Sequence, residues 1–88
     1  MTYVLLFRRA ARKVMGRLPP MYRQAIKDVL RSLPQNPFPA GCLQLRTAEG
    51  RYYRVRVGSY RIVYEVTHEI RIITIIRVGH RREVYRNL

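Results

Sequence analysis

Residues 52–66 read YYRVRVGSYRIVYEV, and the rest of the chain is best understood around this stretch. Apolar and basic residues alternate on both sides of Gly58-Ser59. Glycine at the first central position of a two-residue loop is typical of a type II′ hairpin. Because a two-residue loop fixes the register, Val57 is predicted to pair with Tyr60, and the pairing of all residues farther from the loop follows.

The predicted register gives the hairpin two different faces, because side chains alternate along a strand. One face carries apolar and aromatic side chains, from Tyr53, Val55, Val57, Tyr60, Ile62 and Tyr64. The other face, here called the arginine face, carries Arg54 opposite Val63 and Arg56 opposite Arg61. Like charges directly opposite each other destabilise paired strands by up to about 1 kcal/mol, so forming the sheet does not require them. Two interpretations stay open, a solvated face and a cationic platform for a polyanion.

The charge balance of the 88 residues points to an anionic partner. Eighteen Lys and Arg against five Asp and Glu give a formal net charge of +13. Such an excess adds self-repulsion and usually reflects a polyanion, most often nucleic acid. Only Lys13 and Lys27 are lysines, and the bias towards arginine suits bidentate phosphate binding. A GC-rich genome would produce the same bias.

Composition also limits the class of protein. A hydrophobic content of 48% argues against disorder, and the length predicts a single domain over residues 1–88. Cys42 is the only cysteine, so neither an intrachain disulfide nor a cysteine-based metal site is expected. His68 and His80 have no partners at metal-ligand spacing. With no apolar run long enough to span a bilayer, we expect a cytoplasmic protein without a membrane, metal or small-molecule cofactor.

The N-terminal half predicts a strand and two helices. Residues 3–7 are a continuous apolar run, consistent with a strand covered on both faces. One apolar helical stripe follows, formed by Ala10, Ala11, Val14, Met15 and Leu18. A second, cleaner stripe is formed by Tyr22, Ala25, Ile26, Val29, Leu30 and Leu33. Pro20 suits the start of this second helix and Pro34 forbids its continuation. The short connection predicts an antiparallel helical hairpin packed on a sheet.

The C-terminal half predicts the remaining strands. Residues 34–41 are a proline-rich connector, and residues 42–46 resume an extended pattern. Residues 70–78 are β-branched and apolar on both faces, the composition of a central strand ended by Gly79. The turn at Thr67-His68 has two or three residues, and its length decides whether Arg71 and Arg77 join the arginine face.

The order of elements predicts an α+β domain. A strand, two helices and four further strands place the helices on one face of a mainly antiparallel, twisted sheet. The helices are expected to cover the aromatic face of the hairpin. The arginine face is then left open on the other side of the sheet, where sheet twist makes it concave.

Two segments carry a resemblance to a known family. Residues 53–64, YRVRVGSYRIVY, and residues 77–85, RVGHRREVY, resemble the RelE/ParE superfamily of bacterial and archaeal toxins, and its RelE branch in particular. The resemblance extends over nearly the whole chain. It implies the RelE-like microbial RNase-type fold, and a type II toxin that cleaves messenger RNA in the ribosomal A site. The attacking group would be the neighbouring 2′-OH, which leaves a 2′,3′-cyclic phosphate.

The resemblance also implies functional positions. RelE-type toxins place basic residues, a further pair of arginines and a tyrosine at the positions occupied here by Arg54, Arg56, Arg61, Arg81 and Tyr85. Preorganised guanidinium groups are suited to the charge that builds on phosphorus during this reaction. We expect Arg56 and Arg61 to bind the scissile phosphate, Arg81 to lie near the leaving 5′-oxygen, and Tyr85 to stack on a base. Further RNA contacts are predicted from Arg46, Arg54, Arg77 and Arg82.

The groups that transfer protons in this reaction are not identified by the arginine positions. The best-known RelE toxins have lysine where this chain has Arg54 and Arg56, and arginine does not lose its proton. His80 is a candidate base or acid, and Glu83 a weaker one. Otherwise the ribosome or the RNA completes the proton transfers.

The resemblance implies three partners, namely a cognate antitoxin, the ribosome and messenger RNA. The antitoxin is expected to approach the helical hairpin or the arginine face with an acidic or amphipathic segment. Two alternatives to messenger cleavage remain open. One is a ParE-like toxin that inhibits gyrase, and the other is a non-catalytic module that binds RNA or the ribosome.

Overall fold

The computed structural model describes residues 2–47 and 50–81, in which two helices pack on one five-stranded sheet. The strands are β1 (Val4–Phe7), β2 (Leu43–Thr47), β3 (Gly50–Val57), β4 (Tyr60–Thr67) and β5 (Ile72–His80). The helices, α1 (Arg9–Met15) and α2 (Pro20–Ser32), lie between β1 and β2 in the chain. The predicted α+β class is therefore confirmed. Among the described residues, no helix has both the length and the apolar composition needed to cross a membrane.

The sheet has the strand order β1-β5-β4-β3-β2. β1 pairs with β5 in parallel, and the other neighbouring strands are antiparallel. The central hairpin has the predicted register, in which Val57 pairs with Tyr60 and Arg56 with Arg61. Gly58 has a φ of 59°, the left-handed conformation that the first central position of a type II′ turn requires.

The two helices start and end close to the residues that the sequence predicts. Pro20 is the first residue of α2, where its missing N–H costs no helical hydrogen bond. The helix ends at Ser32, just before Pro34, whose ring cannot continue it. The buried residues of the helical layer are Ala11, Leu18, Ile26, Leu30 and Leu33. They pack on the aromatic face of the hairpin, which includes the fully buried Ile62 and Tyr64, as predicted.

β1 lies at an edge of the sheet and is covered on one face only. Leu5 and Phe7 pack against the core, whereas Val4 is 57% exposed and Leu6 is 48% exposed. The prediction that both faces of this strand are covered is therefore wrong. Its continuous apolar sequence suggested a central strand, but both helices lie on the same side of the sheet.

The connection between β4 and β5 is longer than either predicted length. Four residues, His68–Arg71, separate the strands, and β5 runs from Ile72 through Gly79 to His80. Arg71 has a φ of 56°, an uncommon conformation for a non-glycine residue. The strand was predicted to start at Ile70 because this residue is apolar, yet its side chain is exposed. Glycine is compatible with a strand, so Gly79 does not end β5.

A bulge in β5 sets the orientation of its last residues. Val63 pairs with Arg77 but the next residue, Tyr64, pairs with Ile75, so Ile76 is an extra residue opposite this step. On either side of the bulge, Ile75 and Val78 both face the helices as part of the main core. The arrangement of β5 over residues 77–80 therefore depends on this irregularity.

Candidate functional site

Arg61 is held against the turn of the central hairpin. Its Nη1 donates hydrogen bonds to the carbonyl oxygens of Gly58 at 3.1 Å and Tyr60 at 3.0 Å. The side chain is only 8% exposed, whereas Arg56, directly opposite on β3, is exposed. A fixed guanidinium therefore lies beside a freely accessible one, and both add positive potential at the same place.

Arg54 carries a buried positive charge on the same face. It is 6% exposed, and its Nε and Nη1 atoms are buried without an acceptor among residues 2–47 and 50–81. Together with Arg56, Ala40 and Gly41 it lines an open pocket of about 430 Å³. Burying a charged group without a hydrogen-bond partner is costly. An anion in this pocket would lie next to the positive charge of Arg54.

The arginine face is neither simply solvated nor entirely cationic. The interpretation of a solvated face is wrong for Arg54 and Arg61, since both are buried. A small second cluster of buried apolar side chains lies on the same face, formed by Tyr52, Val63 and Ile76 with Leu45 packed against them. These apolar groups lie beside the arginines and lower the local exposure to water, which strengthens electrostatic interactions there.

Arg81 reaches the same turn from the end of β5. Its backbone N–H donates to the carbonyl oxygen of Ser59 at 3.0 Å, and its side chain is exposed. Two residues earlier, Gly79 pairs with Arg61. The structure therefore brings the backbone of Arg81 to the turn that holds Arg61, whereas the predicted role of its guanidinium stays a prediction.

Arg77 and Arg46 lie in different places. Arg77 pairs with Val63, which puts it on the arginine face, and it also lines the cleft between α1 and the end of β5. It thus lies at the edge between the two faces of the sheet. Arg46 lies on the edge strand β2 and pairs with Arg51 of β3. Because side chains alternate along a strand, both lie on the same side of the sheet as Tyr53, the side that the helices cover. The structure does not bring Arg46 to the arginine face.

His80 faces away from the arginine face, which removes the geometric basis for the predicted proton transfer. It pairs with Tyr60, and the two rings pack edge to face with centroids 6.0 Å apart. Tyr60 belongs to the helix-covered face. The prediction relied on a polar tail after Gly79, but β5 continues through His80 and alternation turns this side chain towards the helices. Tyr85, Arg82 and Glu83 lie outside the described residues.

The connector that lines the Arg54 pocket is tied to the core through Tyr64. The Tyr64 hydroxyl donates to the carbonyl oxygen of Pro37 at 2.6 Å. Burial, together with the neighbouring thiol of Cys42, raises the pKa of Tyr64 well above its usual range. This buried hydrogen bond keeps the connector close to the sheet a few residues before Ala40 and Gly41.

The carbonyl groups at the turn, which hold the Arg61 guanidinium, were not predicted as part of the site. Arg61 comes three residues after Gly58, and this short spacing allows a long side chain to fold back onto the turn. The spacing was a usable signal, because hairpin turn carbonyls are accessible acceptors. Among the described residues, no group of three or more His, Cys, Asp or Glu side chains could hold a metal ion.

Comparison with known proteins gives a consistent result. A family model described as the ParE toxin of type II toxin–antitoxin systems, parDE, matches residues 5–85. Toxin RelG of Mycobacterium tuberculosis is 31% identical over 87 residues, which cover 98% of this chain and 99% of that protein.

Solved structures agree with this similarity. The toxin–antitoxin complex RelBE2 of Mycobacterium tuberculosis contains a chain that is 28% identical, with a TM-score of 0.78 over 92% of this chain and 100% of that one. The archaeal RelE-RelB complex of Pyrococcus horikoshii gives a TM-score of 0.81 over 96% of this chain and 100% of that chain. At 24% identity, the second comparison bears on the fold alone.

Proposed function

We propose that this chain, which belongs to the RelE/ParE superfamily of type II toxins, is an endoribonuclease that cuts messenger RNA in the ribosomal A site. The observation that supports the proposal is that three arginine residues lie near one hairpin turn, although only the Arg61 guanidinium itself bonds to it. Arg56 and Arg61 are paired across it, and the backbone of Arg81 is bonded to it. These three residues are at positions that the resemblance assigns to the reaction.

The proposed reaction is an internal transfer at phosphorus. The 2′-oxygen of the nucleotide before the scissile bond attacks the phosphorus, and the bond to the 5′-oxygen of the next nucleotide breaks. The products are a 2′,3′-cyclic phosphate and a free 5′-hydroxyl. The 2′-hydroxyl loses its proton and the 5′-oxygen gains one, so no water or cofactor is consumed. Negative charge accumulates on the non-bridging oxygens in the transition state, where fixed donors stabilise it most effectively.

The arginines have distinct proposed roles. Arg61 is preorganised by two carbonyl oxygens, so it reaches the scissile phosphate without losing further side-chain entropy. Arg56 is exposed and opposite, which suits it to bind a second non-bridging oxygen. Arg81 is assigned to the leaving 5′-oxygen. Arg54 would bind RNA from its pocket, and Tyr85 would stack on a splayed base.

Proton transfer is assigned to groups outside this constellation. Guanidinium groups stay protonated in proteins, and His80 faces the helices rather than the arginine face. We therefore propose that the ribosome or the RNA itself completes the proton transfers. Cleavage of free RNA is expected to be weak compared with cleavage on ribosomes, and the site of action is the cytoplasm.

A cognate antitoxin is the proposed inhibitor. Type II toxins act in toxin–antitoxin pairs, and the RelBE2 structure that this chain resembles is itself such a complex. A net charge of +13 favours an acidic partner. We propose that an acidic or amphipathic antitoxin segment covers either the arginine face or the helical layer.

The proposal is tested by mapping RNA ends after incubation with ribosomes that carry a defined message. Cleavage within the A-site codon, ending in a 2′,3′-cyclic phosphate, is expected from the unmodified chain. Arg61→Ala should lower the cleavage rate about a hundredfold, since one such donor contributes about 3 kcal/mol. Arg9→Ala removes an equally positive, exposed side chain from α1 and serves as the matched control. An intact message with the unmodified chain would refute the proposal.

A ParE-like activity on gyrase is the second candidate, because the matching family model is the ParE toxin. This activity predicts DNA breaks and an SOS response in cells, with message levels unchanged. Shortened messages without DNA breaks would exclude it. Salt-sensitive RNA binding without cleavage or DNA damage would instead favour the non-catalytic binding module.

A further inference from the structure

The two-residue turn at Gly58-Ser59 supports arginines from two different strands. The carbonyl of Gly58 accepts a hydrogen bond from Arg61 Nη1 at 3.1 Å. The carbonyl of Ser59 accepts the backbone N–H of Arg81 at 3.0 Å. A displacement of this turn would therefore move the Arg61 guanidinium and the backbone of Arg81 together.

The side chain that supports this turn is Tyr22, near the start of α2. A Cβ atom added to Gly58 would lie 3.0 Å from Cε1 of Tyr22, so the ring and the turn are in close contact. The ring of Tyr22 also packs on that of Tyr60, with centroids 4.5 Å apart and an angle of 43° between the planes. Gly58 and Ser59 themselves are exposed. The turn is thus fixed from the helical side by one aromatic ring.

We infer that Tyr22 is a positioning residue for the arginine face. Its ring fixes the distance between the Gly58-Ser59 turn and α2. The turn then positions Arg61 and the backbone of Arg81. Tyr22 lies on the helix-covered side of the sheet, next to Gly58, the ring of Tyr60 and the main core, so we infer that it acts through the turn and not on RNA. The expected effect on catalysis rests on the proposed function, whereas the expected effect on the turn does not.

The ring, and not the hydroxyl, carries this role. The atom of Tyr22 nearest to a Cβ placed on Gly58 is the ring carbon Cε1, and the contact with Tyr60 is between two tilted rings. Tyr22→Phe keeps both contacts and should behave like the unmodified chain. Tyr22→Ala removes both, and the turn is then free to shift towards α2. A misplacement of about 1 Å in a catalytic group can lower the rate about a hundredfold.

Amide hydrogen exchange tests the structural part without any assay of activity. The amide of Arg81 is bonded to Ser59, so its protection reports the position of the turn. Tyr22→Ala should lower this protection at least about tenfold relative to Val29→Ala, while Tyr22→Phe leaves it unchanged. Val29 is a matched control, because it is a partly buried residue of the same helix that packs on the main core. Should Tyr22→Ala not fold, Tyr22→Leu keeps the apolar volume and is measured instead. Equal protection of Arg81 in the Tyr22 and Val29 variants would overturn the inference.

A double-mutant cycle on ribosomes tests the catalytic part. Tyr22→Ala should lower kcat about tenfold to a hundredfold with KM changed less than about threefold. In the Arg61→Ala background the same substitution should lower kcat by a smaller factor than in the unmodified chain, because one of the two arginines that it positions is already gone. An equal loss in both backgrounds would refute the inference. An unmodified chain that cuts no message refutes the proposed function instead, and the exchange measurement then decides this inference alone.

Discussion

Arg54 is a charged residue whose burial opposes folding. Its Nε and Nη1 lack acceptors among the described residues, and an unsatisfied buried donor costs about 1–3 kcal/mol. Arg54→Met keeps much of the shape without the charge, so we expect it to raise the free energy of unfolding by about 1–3 kcal/mol. The same substitution should weaken RNA binding. Urea unfolding and RNA-binding titrations measure the two effects, and a stability gain together with a loss of binding is the expected pattern.

The control for Arg54 is an exposed arginine. Arg9→Met on α1 should change stability by less than about 0.5 kcal/mol, because its guanidinium is solvated in the folded and unfolded chains. A destabilised Arg54→Met variant would mean that the buried guanidinium has acceptors after all.

Tyr64 makes the free energy of unfolding depend on pH in the alkaline range. Burial raises the pKa of Tyr64 in the folded chain, whereas in the unfolded chain it is about 10. Above about pH 10 the unfolded chain binds fewer protons than the folded one, so the free energy of unfolding falls as the pH rises. Below about pH 10, Tyr64 is protonated in both states and has no such effect. Tyr64→Phe should abolish this part of the slope between about pH 10 and 12. It should also cost about 1–2 kcal/mol at neutral pH, since the carbonyl of Pro37 loses its donor.

Thermal unfolding at several pH values compares the two chains. The remaining tyrosines titrate in both, so the difference between the curves isolates Tyr64. Parallel curves for the unmodified chain and Tyr64→Phe would contradict the burial of this hydroxyl as the cause.

At the scale of the elements, the central hairpin depends on one glycine. Gly58 has a φ of 59°, and a methyl group there would lie 3.0 Å from Tyr22. Gly58→Ala should therefore lower the free energy of unfolding by about 1–3 kcal/mol. Gly16, at the end of α1, has a φ of −73° and no atom closer than 3.7 Å to the added methyl. Gly16→Ala should be neutral or slightly stabilising, by up to about 1 kcal/mol. Equal effects of the two substitutions in urea unfolding would contradict this interpretation of the turn.

The hairpin was predictable because its information is local. Gly58-Ser59 fixes the loop length, and loop length fixes the pairing of Arg56 with Arg61 without reference to any other element. The strand β5 was less predictable, because its start follows a left-handed Arg71 and its middle contains the bulge at Ile76. Neither feature has a glycine or proline to mark it. The orientation of His80 follows from these two features, and its predicted role was therefore placed on the wrong face.

The burial of the arginines was not predictable from the hairpin alone. The alternation of side chains along the hairpin identifies the arginine face. It does not predict that Tyr52, Val63 and Ile76 form a cluster beside Arg54. Ile76 comes from β5, and its contribution requires the bulge. Local pattern thus predicted which residues share a face, while their exposure depended on a distant strand.

At the scale of the whole molecule, the net charge of +13 gives salt two opposite effects. Screening reduces the self-repulsion of the folded chain, so Tm should rise between about 0.02 M and 0.3 M sodium chloride. RNA binding should weaken over the same range, because salt competes with the release of counterions. Thermal unfolding and binding titrations in the same buffers measure both trends. A Tm independent of salt would mean that the positive charges do not destabilise the fold.

The parallel pairing of β1 with β5 has a consequence for how the protein is made. Residues 4–7 find their neighbouring strand only at residues 72–80, so the sheet and its core are incomplete until most of the chain has been synthesised. Contacts so distant in sequence slow folding, because a long loop must be closed before they form. A chain synthesised only as far as residue 71 is therefore expected to leave the edge of β4 that β5 covers unpaired, where a foreign strand can add to it.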